Sequence, residues 1–488
     1  MSTSRTAPAA HRWLIVAVML VAELMDLLDS TIVNVAGPSL KRSLGATPTG
    51  LQWVIGGYSL TLGAGLVLGG RLGDRYGRRR MFLVGLSAFT AASLLCALAP
   101  TVGALIACRL VQGAAGAMLL PQGLGLLREN FSGPELGRAF GLFGPVLGLG
   151  GIIGPVLGGG LIQADLLGLG WRLVFLVNLP IGLAALFVAG RFLPRTPGEG
   201  GVRVDLAGAA LVAGASALLV LPLEQGQADG WPLWTWLSLA AAAAGYLLFV
   251  LQQRRTAARG RLPLVTPAMF RLPAFTVGLA GIALFFSGMI GGQLVLTLFL
   301  QLGQGYSAGA AGLGNLPLAV GTAIGGGIGA AVLAGRLGRT ALRAGALLQV
   351  GGAALLWVEL DHLGAPFSIW RIAPGVALGG VGSGIIVAAL FSVVLAAVAD
   401  EEVGSASGVL SAVQAIGGSV GVAVFGSVFF ARVERGNAGD GFQAALLVQG
   451  GLLLAFLLLS AFLPRRARPE GEHADAGATP VRAGNATS

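Results

Sequence analysis

The chain has 488 residues, of which 55% are hydrophobic and 11% charged, with a mean hydropathy of +0.82 and a formal net charge of +10. A soluble domain carries roughly 25% charged residues, so a water-soluble enzyme of ordinary kind is excluded, and so is a disordered chain, which is rich in charge and poor in apolar residues. The 81 glycines follow no Gly-X-Y period, which excludes collagen and fits membrane helices packed through small residues.

A bilayer is crossed by about 20 apolar residues. Such runs lie at 13–37, 51–71, 81–100, 102–127, 138–163, 171–193, 205–223, 233–252, 273–301, 307–335, 341–360, 370–395, 403–431 and 442–463, which predicts an all-α polytopic membrane protein of 14 transmembrane helices. The first run follows Arg5, His11 and Arg12, as a signal peptide would. It is too long for one, carries acids and lacks a small-residue cleavage site, so it reads as a permanent span. With the N-terminus placed in the cytoplasm, 24 of the 31 basic residues fall in cytoplasmic loops and tails and 6 on the other side, with Arg109 inside a span. That bias sets the orientation, puts both termini in the cytoplasm, and reads the basic clusters as topology signals, not as a nucleic-acid surface.

The first span holds Glu23, Asp26 and Asp29. Steps of three put them on one helical face, drifting ~60° per step. Three carboxylates on one arc in a low-dielectric site cannot all stay ionised, so at least one is expected to carry a proton. The loop after the second span reads Gly70-Arg-Leu-Gly73-Asp74-Arg75-Tyr-Gly77-Arg78-Arg-Arg80, with glycines for a tight turn and an acid able to pair with Arg78 or face a helix N-terminus. That fixed spacing points to a gate. In the fourth span Arg109 needs a partner, because an unpaired buried charge costs several kcal/mol; Asp29 or Asp26 is the natural one, and Gln112, one turn on, extends the network. In the fifth span Gly150, Gly154 and Gly158 make a flat stripe and Pro155 removes a backbone donor. Cys96 and Cys108 sit in apolar runs, and His11, His362 and His473 are scattered, so neither disulfide nor metal chemistry is indicated.

Gly-Arg-Leu-Gly occurs at Gly70–Gly73 and again at Gly335–Gly338, each at the same end of an apolar run. A parallel repeat of this kind predicts two six-helix bundles. The divisions are a cytoplasmic tail 1–12, a bundle 13–200, two linker helices 201–255, a second bundle 256–465, and a polar tail 466–488 expected to be disordered.

Together these residues resemble the major facilitator superfamily, and within it the 14-span drug:proton antiporters of the EmrB and QacA type. The resemblance rests on Gly70–Arg80, on Leu105–Gly113 around Arg109, on Gly150–Gly159, on Leu28–Ala36 around Asp29, on Trp171–Gly182 and on Gly404–Gly408. It departs at Ala36-Gly37-Pro38, where the family closes Ala-Leu-Pro, and at Arg339, where the second bundle lacks the counterpart of Asp74. The resemblance implies alternating access in a bacterial plasma membrane, with no cofactor and a monomeric chain. It implies proton coupling at Asp26, Asp29, Glu23 and Arg109, and gating at Gly70, Gly73, Asp74, Arg75, Gly77, Arg78, Gly150, Gly154, Pro155 and Gly158. Candidates for the substrate cavity are Asp26, Trp53, Tyr58, Gln112, Phe285, Phe286, Gln293, Phe391 and Gln414. The expected function is proton-coupled multidrug efflux of lipophilic or cationic small molecules. The alternative is a dedicated exporter of one metabolite on the same fold, such as a self-made antibiotic, a siderophore or a lipid. A membrane enzyme is disfavoured by the scattered histidines, an ATP-driven pump by the lack of a Gly-Lys-Ser/Thr loop, and a channel by the two-block repeat.

Overall fold

The computed structural model describes residues 9–131, 133–194, 198, 205–226, 230–261, 263–306, 308–329, 338–361, 368–399, 402–433 and 437–463. All regular structure among them is helical. In chain order the helices are α1 (Ala9–Leu44), α2 (Pro48–Tyr76), α3 (Arg78–Leu98), α4 (Val102–Asn130), α5 (Gly133–Gly141), α6 (Phe143–Ala164), α7 (Leu173–Leu176), α8 (Asn178–Phe192), α9 (Leu206–Gln225) and α10 (Leu233–Ala258). They continue with α11 (Pro273–Leu298), α12 (Ala308–Gly314), α13 (Leu316–Ile328), α14 (Gly338–Asp361), α15 (Ile369–Ala396), α16 (Val403–Val433) and α17 (Ala438–Ser460). Among the described residues, 11 helical stretches are long and apolar enough to cross a membrane.

Local chemistry sets the ends. Thr47 caps α2 by accepting from the Gly50 N–H at 3.1 Å, with Pro48 at the first position, and Thr101 caps α4 through the Ala104 N–H at 3.2 Å. Gly77, at φ 90°, turns α2 directly into α3, a backbone conformation that a side chain would strain. Asp205 caps α9 through the Gly208 N–H at 2.9 Å.

Tertiary packing moves several predicted boundaries. α1 runs past residue 37 through Gly37 and Pro38, because Ala36 and Leu40 are buried in a cluster with Trp171 and Phe175 that outweighs the weak helix formers. The fifth predicted span divides at Leu142, whose N–H tightens onto the Ala139 carbonyl at 3.3 Å. The tenth divides at Asn315, whose side chain donates to Thr297 Oγ1 and to the Ala311 carbonyl, each at 3.3 Å, with Pro317 opening α13.

α2 packs on α4, α3 on α4 and α1 on α6; α13 on α15, α14 on α15 and α11 on α16 repeat that scheme further along the chain. Close approach uses small residues. A Cβ at Gly113 of α4 would overlap the Tyr58 carbonyl oxygen of α2, and beside it Thr61 Oγ1 donates to the Leu110 carbonyl at 2.8 Å. Of the repeated tetrapeptide, residues 335–337 lie outside the described residues, and Gly338 opens α14. The two sets of helices meet where α2 packs on α16, α5 on α15 and α6 on α13. Among the eleven stretches long enough to cross, α15 is the most buried and α10 the least. α9 lies between α10 and the α2–α16 contact.

Candidate functional site

The helical register of α1 divides its acids between two environments. Asp29 is fully buried and forms an ion pair with Arg109 of α4, also fully buried. Asp29 Oδ1 also accepts from Gln112 Nε2 at 2.8 Å and from Asn178 Nδ2 of α8 at 2.8 Å. Arg109 donates further to the Val54 carbonyl at 3.0 Å and to Gln112 Oε1 at 2.8 Å. Ser93 of α3 closes the ring, receiving Gln112 Nε2 at 2.8 Å and Asn178 Nδ2 at 3.3 Å. Five helices thus fix one buried charge pair. The pair is saturated on the carboxylate side, whereas one guanidinium nitrogen, Nη2 of Arg109, has no hydrogen-bond partner.

Asp26 lies one turn nearer the chain start and faces elsewhere. It lines a cavity of about 630 Å³ and accepts a hydrogen bond from the Tyr58 hydroxyl of α2. The Arg109 guanidinium carbon stands 4.3 Å from the centre of the Tyr58 ring, a cation–π distance. Tyr58 therefore touches both Asp26 and the buried pair, by its hydroxyl and its face respectively. Glu23 lines the same cavity. Pockets of roughly 300–1,000 Å³ hold drug-sized molecules, so this one is large enough for such a substrate.

The cavity lies between the two sets of helices, with Met19, Leu62, Leu120, Ile290 and Leu294 among its apolar walls. Of the predicted lining residues, Asp26, Phe286, Phe391 and Gln414 do line it, joined by Glu23, which was expected only in proton coupling. Phe285 is buried beside Phe286 at a ring distance of 5.2 Å, outside the lining. Gln293 instead lines a second, small cavity of about 70 Å³ with Gln349, Ser383 and Gln449. Trp53 is half-buried on α2, Gln112 belongs to the charge network, and Tyr58 reaches the cavity only through Asp26; none of the three is in the lining. The lining includes a cluster of aromatic rings, with Phe140 stacked on Phe391 at 5.5 Å and Phe286 edge-on to Phe391 at 6.1 Å.

At the end of the molecule that carries the Gly77 turn, Asp74 pairs with Arg78 at 3.2 Å and with Arg71 at 3.5 Å, and Arg78 Nε also pairs with Glu129 of α4 at 2.9 Å. Arg71 donates to the backbone carbonyls of Leu264 and, at 2.7 Å, Pro263, and Ser405 Oγ of α16 donates to the same Leu264 carbonyl at 3.0 Å. The connector after α10 is thereby held between the two sets of helices. Gly73 lies against Gln122, which donates to the Gly69 carbonyl at 2.7 Å, so a Cβ at Gly73 would overlap the Gln122 amide. Gly70 and Gly77 are buried in this corner, and Arg75 lies 5.0 Å from the Tyr76 ring. Gly154 and Gly158 of α6 lie against Thr31 and Ile32 of α1, where a Cβ at either would collide; Gly150 and Pro155 are in the same helix. Outside the spans, burial works to raise the Asp205 carboxyl, but donors from Gly208, Gln252, Gln253 and Ala207 outweigh it and hold the group below the usual carboxylate range.

Sequence reasoning did not single out Ser93, Asn178, Gln122 or Glu129. Asn178 carried a signal, a lone amide deep in an apolar run; a serine in a membrane helix is too common to carry one.

The sequence profile of the Major Facilitator Superfamily matches residues 19–422. The chain is 42% identical over 423 residues to the probable actinorhodin transporter of Streptomyces coelicolor, covering 87% of this chain and 73% of that protein. It is 35% identical over 500 aligned positions to the puromycin resistance protein pur8 of Streptomyces alboniger, covering 99% of this chain and 97% of that one. Among solved structures, the human organic anion transporter MFSD10 (TETRAN) superposes with a TM-score of 0.66 at 19% identity, over 93% of this chain and 100% of that one, a likeness of fold alone.

Proposed function

The chain belongs to the major facilitator superfamily, and from that premise we propose that it is a 14-span, proton-coupled antiporter that expels lipophilic or cationic small molecules across a bacterial plasma membrane. α1, α6 and α9, joined to the stretches long enough to cross alone, would complete the fourteen spans, with the Gly77 turn and both termini on the cytoplasmic side. Residues 13–200 and 256–465 would be the two rocking bundles. The observation that carries the reading is the split of the acids. Asp26 is on the wall of a drug-sized cavity, bonded to Tyr58, while Asp29 is sealed against Arg109.

In this mechanism the Asp29–Arg109 pair is the fixed element and Asp26 the exchanging one. A proton arriving from outside neutralises Asp26. Substrate entering from the cytoplasmic side or the inner leaflet competes for the same carboxylate and displaces the proton inward. Tyr58 reports the charge of Asp26 to Arg109, whose spare Nη2 is free to answer it. Arg71, Asp74, Arg78 and Glu129 latch the cytoplasmic end, and the Phe140–Phe391–Phe286 cluster supplies an aromatic part of the cavity lining. The chain would act as a monomer, without a cofactor.

A dedicated exporter is the second reading, favoured by one observation: the two relatives above are each named for a single antibiotic. Uptake into inside-out vesicles under an imposed pH gradient tests the proposal, using ethidium, a quaternary ammonium compound, puromycin and several neutral antibiotics. Gradient-dependent accumulation of several unrelated compounds supports broad efflux. Accumulation of one compound alone supports the dedicated reading, and accumulation that ignores the gradient contradicts proton coupling.

A further inference from the structure

The cavity has a wall contributed from outside the two repeated sets of helices. Val220 and Gln225 of α9 line it. α9 packs on α2 and on α16, the two helices that meet across the middle of the molecule. Gly63 of α2 faces Val220 across this contact, where a Cβ would make an ordinary van der Waals contact of 3.6 Å with Val220 Cγ2. On its other side α9 packs on α10, where Ser216 and Tyr246 share a hydrogen bond of 2.9 Å and a Cβ at Gly245 would stand 3.0 Å from Ala215. α10 in turn exposes Leu233, Trp236, Leu237, Leu247 and Leu248, as a lipid-facing helix does.

Both ends of α9 are anchored. At its start Asp205 accepts from Gln252 at 2.8 Å and from Gln253 at 2.9 Å, and Gln253 Oε1 takes the Val265 N–H of the connector at 3.0 Å. Beyond its end, Trp231 Nε1 donates to Ser427 Oγ of α16 at 3.3 Å. A helix pinned in this way along a seam, with two side chains in the cavity, acts as more than a tether between bundles.

We propose that α9 is a lateral wall of the transport cavity, which closes the α2–α16 seam against lipid and, through Gln225 and Val220, selects the substrate. The substrate class that fits this wall is an apolar small molecule with a hydrogen-bonding group positioned for the Gln225 amide and limited bulk opposite Val220. The selecting role rests on the transport reading above; the wall itself rests on geometry alone.

The test has two arms. In the first, Gln225→Cys and Leu218→Cys are treated with a negatively charged methanethiosulfonate, with the unaltered chain, whose Cys96 is buried and Cys108 partly exposed, as background. Leu218, two turns earlier on the same helix, is exposed and is not among the residues that line the cavity. Because hydrocarbon excludes a charged reagent, Gln225→Cys is expected to label about tenfold faster than Leu218→Cys. Equal rates, or no labelling at Gln225→Cys above background, overturn the wall. In the second arm, vesicle uptake of ethidium and puromycin is compared for Gln225→Leu and Val220→Phe. Unequal changes in KM between two transported compounds, at little change in kcat, support selection; an equal loss for both overturns it. If the unaltered chain transports neither compound, the broad-efflux reading fails on its own, and the labelling still decides the wall.

Discussion

Replacing Asp29 by Asn keeps the side chain's volume and removes its charge. In the folded chain this leaves the Arg109 guanidinium fully buried, with Gln112 Oε1, the Val54 carbonyl and the Tyr58 face as its remaining partners. Breaking a buried ion pair from one side costs about 3–5 kcal/mol, because the surviving charge has lost its counter-ion in a low-dielectric site. Some of that is recovered here by the retained carbonyl and amide acceptors, so about 3 kcal/mol is the expected loss. The double variant Asp29→Asn/Arg109→Gln removes both charges and is expected to recover most of it, since an uncharged pair of similar shape carries no such penalty. Asp26→Asn removes a charge that faces the cavity and keeps an acceptor for the Tyr58 hydroxyl, so its expected cost is about 1 kcal/mol. The assay is the fraction of purified protein still monodisperse after a temperature ramp at fixed scan rate, because membrane proteins seldom unfold reversibly. The order expected is Asp29→Asn least stable, then the double variant, then Asp26→Asn, then the unaltered chain. If Asp29→Asn were as stable as Asp26→Asn, or if the double variant were less stable than Asp29→Asn, the buried pair would not be the fixed element argued here.

Gly113→Leu would push a branched side chain into the Tyr58 carbonyl and Thr61, an overpacking expected to cost about 1–3 kcal/mol; a lower melting midpoint checks it, and an unchanged one would contradict the close α2–α4 contact. Arg71→Ala removes both of its bonds to the connector carbonyls; amide exchange around Leu264 and Ser405 is expected to rise about tenfold for each ~1.4 kcal/mol of holding energy lost, and unchanged protection would mean that the Arg71 bonds do not hold the connector. The pH dependence of the α9 anchor follows from Asp205, whose carboxyl is held below its usual range. A lowered folded value contributes stability that is present above the unfolded value, about pH 4, and is lost as pH falls through the folded value. Exchange protection of the first turn of α9 is therefore expected to fall on acidification below about pH 4 and to become independent of pH there in Asp205→Asn; the same acid loss in both proteins would refute it.

The run of apolar stretches made the helices legible, because length and hydropathy alone decide which segments can cross a bilayer. Their breaks were not legible. The divisions at Leu142 and Asn315 arise from one tightened turn and one amide side chain that compete with an otherwise helical sequence. Arg109 announced that it needed an acid, but a drift of ~60° between Asp26 and Asp29 leaves both within reach of a neighbouring helix. The choice of Asp29 depends on Asn178 and Ser93, which come from α8 and α3, and their register against α1 is written in no single-helix pattern. The cavity-lining residues were half legible for a related reason. In a helix that is apolar all round, hydrophobic periodicity does not tell the lipid face from the cavity face, so Phe286, Phe391 and Gln414 line the cavity whereas Gln293 turns to a different one. α9 was visible as a helix, but its place along the α2–α16 seam depends on Trp231 and Gln253, two contacts far apart in the chain.

Exchange of substrate and proton at Asp26 is the defining step of the proposed cycle. It is tested most directly by adding a transported compound to purified protein in weakly buffered detergent solution and recording the pH, for the unaltered chain, Asp26→Asn and Tyr58→Phe. Proton release is expected from the unaltered chain, none from Asp26→Asn at concentrations where the compound still binds, and altered pH dependence in Tyr58→Phe. Undiminished release from Asp26→Asn would contradict exchange at that residue.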